Sequence, residues 1–224
     1  MAELIAGLDA ARVRANAREI RERIAAAAAR AGRDPAEVEL LAAVKYVASE
    51  ELEVLADAGL TLLGENRAQE LAAKADAYPG RFTWDFIGHL QSRKVREIVP
   101  RVRLIHSVGS DSALAQLARH REAATRPGFA VLIEVNVAGE ASKSGIAPHE
   151  LPAFVARCPV PVAGLMTMPP LAASPEANRP HFAQLRELAA AHGLKTLSMG
   201  TSQDFEVAVE EGATIVRIGT TLYR

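Results

Sequence analysis

The stretch ELLAAVKYVAS (39–49) carries an apolar run into a lysine, Lys45. An amine partly withdrawn from water loses basicity and becomes a nucleophile toward aldehydes, with which it condenses to a Schiff base. The same placement suits a lysine that reaches along its stem to solvent or pairs with Glu65. Near the other end, two glycine-containing turns follow apolar runs, SMGTS (198–202) and RIGTT (217–221). Unhindered backbone N–H groups there, with the N-terminus of a helix starting near Ser202, form a place for a phosphate. Ser198, Thr201, Ser202 and Thr220 add hydroxyl donors, while Gly200 and Gly219 also fit turns with no ligand. A Schiff-base lysine together with a phosphate cradle matches an aldehyde that carries a phosphate, either pyridoxal phosphate or a phosphorylated sugar.

Such residues act together only if the chain brings them to one place. Eight short apolar runs alternate with amphipathic segments: 38–45, 61–65, 82–88, 103–108, 129–137, 162–168, 194–200 and 214–219. Several are continuous Val/Ile/Leu runs, as in parallel strands buried on both faces. Ser49 is placed to cap a helix ending at Gly59, and Thr201 or Ser202 to cap one ending at Gly212. Pro180 delays or breaks the helix of 175–193, and 169–180 reads as a flexible loop. Eight strand–helix repeats in one chain predict a single (β/α)8 barrel over 1–224. An open doubly wound sheet is the alternative, weakened by the absence of G-x-G-x-x-G. Almost nothing follows the eighth strand, so the helix within residues 1–33, with Val13, Ala17, Ile20 and Ile24 on one face, is expected to replace the last barrel helix. Barrel sites lie at the C-terminal strand ends. There stand Lys45, Glu65 and Asn66, His89, Ser107, Asn136, Met166 and Met168, Ser198 to Gly200, and Arg217 with Gly219 and Thr220.

Composition excludes several classes. The net charge is −1, which gives no electrostatic footprint for nucleic acid or an anionic membrane. No apolar run reaches membrane-spanning length. The one cysteine, Cys158, excludes an internal disulfide framework and suits a reducing cytoplasm. The Arg/Ala-rich start carries Glu3, Asp9, Glu19 and Glu22, unlike a transit peptide. The histidines at 106, 120, 149, 181 and 192 lack metal-ligand spacing. His89 reads as a structural polar residue or an acid–base group. The ASKSG stretch (141–145) reads as a surface turn or an anion loop.

The motifs VKY around Lys45, GENRAQE (64–70), WDFIGHLQSRK (84–94), VNVAGEASKSGI (135–146), GLMTM (164–168), LSMGTSQDFEVAV (197–209) and VRIGTTLY (216–223) run in order across nearly the whole chain. Taken together, they make it resemble the pyridoxal-phosphate homeostasis family, single-domain relatives of the alanine racemase N-terminal barrel. The resemblance implies pyridoxal 5'-phosphate held as an aldimine on Lys45. Its phosphate would lie on the loops of Ser198, Met199 and Gly200 and of Gly219 and Thr220, with Asn66 beside the ring. Arg217 would face either the pyridine nitrogen or the phosphate. Tyr46, Thr201 and the end at Arg224 depart from the family pattern. The function implied is intracellular vitamin B6 homeostasis, buffering the cofactor or delivering it to apo-enzymes. The chain would act in the cytoplasm, as a monomer and with little or no catalysis. An amino-acid racemase is the alternative, although the chain ends with the barrel and lacks the second domain that carries a catalytic tyrosine. A Schiff-base aldolase is a third reading.

Overall fold

The computed structural model describes residues 4–140 and 144–224, so Ala141 to Lys143 of the ASKSG stretch lie outside the described residues. Eight parallel strands close in chain order: β1 (Glu39–Ala43), β2 (Leu62–Glu65), β3 (Thr83–Phe86), β4 (Leu104–Val108), β5 (Ala130–Glu134), β6 (Val162–Met166), β7 (Thr196–Thr201) and β8 (Ile215–Ile218). The helices are α1 (Ala10–Arg30), α2 (Leu52–Asp57), α3 (Ala68–Ala77), α4 (Val95–Ile98), α5 (Asp111–His120), α6 (Leu151–Arg157), α7 (Arg179–Ala191), α8 (Phe205–Glu210) and the single turn α9 (Thr220–Tyr223). Each predicted run coincides with a strand, β7 alone passing its run, by one residue at Thr201. Closure comes from β8 pairing with β1, with Leu41 opposite Arg217.

Strand alternation divides the core in two. Leu41, Leu104, Ala130, Leu132, Met166 and Ile215 fill the barrel interior, and a larger apolar layer lies between strands and helices. Gly64 makes room for one inner residue: a Cβ there would stand 2.4 Å from Leu41 Cδ2. Helix α1 begins where Asp9 accepts the Arg12 N–H (2.8 Å). It buries Val13, Ala17, Ile20 and Ile24 and packs against α2, α8 and α9, occupying the place of the helix expected after β8. Ion pairs Arg23–Glu206 and Arg30–Glu210, both 2.6 Å, fasten it to α8.

Two helix starts differ from expectation. Ser49 lies inside a 3-10 turn that precedes α2, and Ala48 holds the cap position without a side-chain bond. Helix α8 starts at Phe205 because Asp204 reaches backward. Its Oδ1 accepts from the Thr201 N–H (2.7 Å) and Oγ1 (3.0 Å), which holds 201–204 as a turn. Pro180 falls in the first turn of α7, where its missing N–H costs nothing, and a 3-10 turn over Pro175–Asn178 leads into it.

Candidate functional site

The mouth of the barrel stands on a polar column running down its axis. Four inward positions carry it: Asp85 on β3, His106 on β4, Ser198 on β7 and Arg217 on β8. His106 Nε2 lies 3.1 Å from Asp85 Oδ2, and its Nδ1 2.8 Å from Ser198 Oγ. Arg217 donates to the Ser198 carbonyl (2.8 Å), to Ser198 Oγ (2.5 Å) and to the Thr167 carbonyl (3.1 Å). Below, Arg103 grips Asp85 Oδ2 (2.8 Å) and Glu39 Oε1 (2.7 Å) at the floor.

Donor and acceptor capacity fixes the sense of this column. Ionised Asp85 only accepts, so Nε2 of a neutral His106 carries the proton and Nδ1 must accept from Ser198, which in turn accepts from Arg217. Burial favours that neutral imidazole and pushes His106 below the usual histidine range, with Asp85 only partly offsetting it. Burial pushes the Asp85 carboxyl up, but its bonds to His106 and Arg103 outweigh this and leave it below the usual carboxylate range. Burial lowers Arg217 to about 10, so it remains a cation at neutral pH. An Asp–His–Ser chain resembles the hydrolytic constellation. Here, however, Ser198 is fully buried and Arg217 occupies its oxygen, so no substrate carbonyl reaches it.

Above the column opens a cavity of about 300 Å³, lined by His89, His106, Ser107, Glu134, Met166 and Arg217 among others. Ser144 Oγ donates to Glu134 (2.5 Å) at its edge. Asn136 is turned away, its amide donating to the Glu140 carbonyl (2.8 Å).

Lys45 stands on the rim, two residues beyond β1. It is exposed, with Nζ 5.0 Å from the centre of the Tyr46 ring, and forms no hydrogen bond among the described residues. Glu65 is not its partner, because Glu65 Oε2 is taken by Lys74 from α3 at 2.8 Å, both groups being buried. Asn66 follows Glu65, and its side-chain amide has no partner among the described residues. Its Oδ1 is buried without a hydrogen bond, a state that costs about 1–3 kcal/mol and calls for a missing donor.

The two glycine turns adjoin, with the Gly219 N–H donating to Ser202 Oγ (3.3 Å). Gly200 needs its residue type: φ is +89°, and a Cβ would lie 2.6 Å from Ala208 Cβ. Gly219 is roomy, with the nearest atoms 3.8 Å from such a Cβ. No carbonyl accepts from the backbone N–H groups of Ser202, Gln203, Thr220 and Thr221 among the described residues. These loops and α1 border a second cavity of about 460 Å³. The other expected members lie apart from it. Ser198 belongs to the axial column, and the Met199 side chain is buried between barrel and helices. Met168 is exposed on the rim.

Lys74, Asp85, His106 and Glu134 did not stand out in the sequence. Lys74 falls on the helical stripe of Ala68, Leu71 and Ala75, which was a readable signal. Asp85 and His106 share the inward parity of Leu104.

Comparison with known proteins gives a consistent result. The alanine racemase N-terminal domain family matches residues 8–224. The pyridoxal phosphate homeostasis protein of Aquifex aeolicus is 45% identical over 90% of this chain and 93% of its own. That of Pseudomonas aeruginosa is 43% identical over 93% of each. PipY of Synechococcus elongatus, solved with pyridoxal phosphate bound, superposes with a TM-score of 0.74 at 33% identity, over 92% of this chain and 100% of PipY.

Proposed function

The chain belongs to the pyridoxal phosphate homeostasis protein family, and on that premise we propose that it holds pyridoxal 5'-phosphate at the barrel mouth, with Lys45 as the covalent anchor. The observation that carries this reading is the unpartnered Asn66 amide beside the strand end that bears Lys45. The donor set fits such a cofactor: an amine on the rim, a buried cation and, without partners among the described residues, the Asn66 amide and four backbone N–H groups in adjoining turns. When bound, the cofactor supplies an aldehyde that condenses with an amine and a ring that withdraws electrons. Asn66 would meet the ring's polar substituents. The turns at 200–203 and 219–221 would take the phosphate. Arg217 would face the ring nitrogen, a reading supported by its bonds to two carbonyls and Ser198, which hold it in the axial column. A guanidinium that stays charged keeps that nitrogen unprotonated and weakens the ring as an electron sink. The protein would therefore carry the cofactor in the cytoplasm, as a monomer that passes it to apo-enzymes, and perform little or no catalysis. Among the described residues, no helix is long and apolar enough to cross a membrane.

The test is an absorption spectrum of the protein loaded with pyridoxal phosphate, before and after borohydride, followed by peptide mass spectrometry. A pyridoxyl adduct on Lys45 is expected, and an adduct on Lys94 or Lys143 instead overturns the assignment.

A further inference from the structure

The Lys74–Glu65 pair does more than fill space between α3 and the barrel. Lys74 is 2% exposed and Glu65 not at all. Lys74 Nζ donates to Glu65 Oε2 (2.8 Å) and to the Val44 carbonyl (2.9 Å). Glu65 Oε1 accepts the N–H of Asn66 (2.7 Å) and of Arg67 (3.3 Å). Peptide units are rigid planes. The plane containing the Val44 carbonyl also contains the nitrogen and Cα of Lys45, and the plane containing the Asn66 N–H leads directly into Asn66. One ion pair therefore orients the backbone entering both residues. The Val44 oxygen accepts a second bond, from Val47 N–H (3.0 Å), which closes the turn on which Lys45 is carried. Stability alone does not explain the pair, since an apolar pair of equal volume is often neutral or stabilising at a buried site. An apolar pair would give up the bonds to the Val44 carbonyl and to the Asn66 and Arg67 N–H groups.

We propose that Lys74 and Glu65 are positioning residues, which set the Lys45 and Asn66 backbones so that amine and amide address one ligand. This rests on the reading of Lys45 and Asn66 given above. The experiment compares the unmodified protein, Lys74→Met and Lys74→Met/Glu65→Gln, following thermal melting of the ligand-free proteins and absorbance titration with pyridoxal phosphate. The single variant leaves a buried carboxylate unpaired and should melt well below the unmodified protein, whereas the double variant should recover most of that loss. Affinity should nevertheless remain reduced roughly ten- to a hundredfold in the double variant, the equivalent of one lost charge-assisted hydrogen bond. Recovery of stability and affinity together overturns the proposal. Failure of the unmodified protein to form the Lys45 adduct is a separate result that overturns the functional reading. If neither variant folds, the unmodified protein decides. Its Lys74 15Nζ resonance should shift on addition of pyridoxal phosphate, and an unmoved resonance overturns the positioning role.

Discussion

At the scale of single residues, what a side chain does here follows from what already occupies its polar atoms. Lys45 is exposed and has no hydrogen-bond or ion-pair partner among the described residues. Lys45→Ala should therefore abolish the borohydride adduct and leave the melting temperature nearly unchanged, since no core cavity opens. The two turn glycines should separate in behaviour. Gly200→Ala forces an L side chain to a φ of +89° against Ala208, at a cost on the order of 1–3 kcal/mol in denaturant unfolding. At Gly219 a Cβ would meet only ordinary contacts at 3.8 Å, so Gly219→Val is expected to fold while weakening pyridoxal phosphate more than pyridoxal. Unmodified protein should prefer the phosphorylated aldehyde by at least roughly a hundredfold, as two or three charge-assisted bonds imply. Equal titration curves for the two aldehydes would place the phosphate elsewhere. The sequence made Lys45, Asn66 and the two turns legible, because each is a polar or glycine residue at the end of an apolar run. It did not reveal that Ser198 is withdrawn into the axis, because a hydroxyl beside a glycine turn looks the same whichever way its strand faces.

At the scale of elements, strands were more legible than helix starts. Continuous Val/Ile/Leu runs leave little choice for a segment buried on both faces, and all eight appeared. Caps depend on rivals only a few residues away. Asp204 displaced Thr201 and Ser202 because a carboxylate that accepts two bonds from Thr201 is a stronger local acceptor than a hydroxyl. The exchange of the last barrel helix for α1 was readable from its apolar stripe. That helix should be an integral wall of the barrel and not an appendage. Ile20→Ala, at a fully buried position on that stripe, is expected to lower unfolding free energy by about 2–5 kcal/mol in a urea titration. A loss below 1 kcal/mol would mean that α1 is only loosely docked.

At the scale of the whole molecule, the axial column makes stability depend on acid. The folded His106 has a lowered pKa, so the unfolded chain binds a proton near the ordinary value of 6.5 that the folded chain refuses. Stability then falls as pH drops below about 6.5, by up to about 1.4 kcal/mol per unit, until the folded value is reached. Asp85, also lowered, adds a second loss below 3.8, where the unfolded carboxyl protonates first. Urea midpoints between pH 7.5 and 5 should show the first fall, and His106→Gln should flatten it. Catalysis is a property of the whole molecule too: with L-alanine, the loaded protein should yield D-alanine far below an enzymatic rate of roughly 1 s⁻¹. The floor of such a barrel is ordinarily the inert end, where substitution touches only robustness. This one is wired to its mouth. From Glu39 through Arg103, Asp85, His106 and Ser198 to Arg217, every link is a hydrogen bond of fixed direction. Whoever alters Glu39 at the underside is therefore also adjusting a terminal of the circuit that ends at the Arg217 guanidinium beneath the barrel mouth.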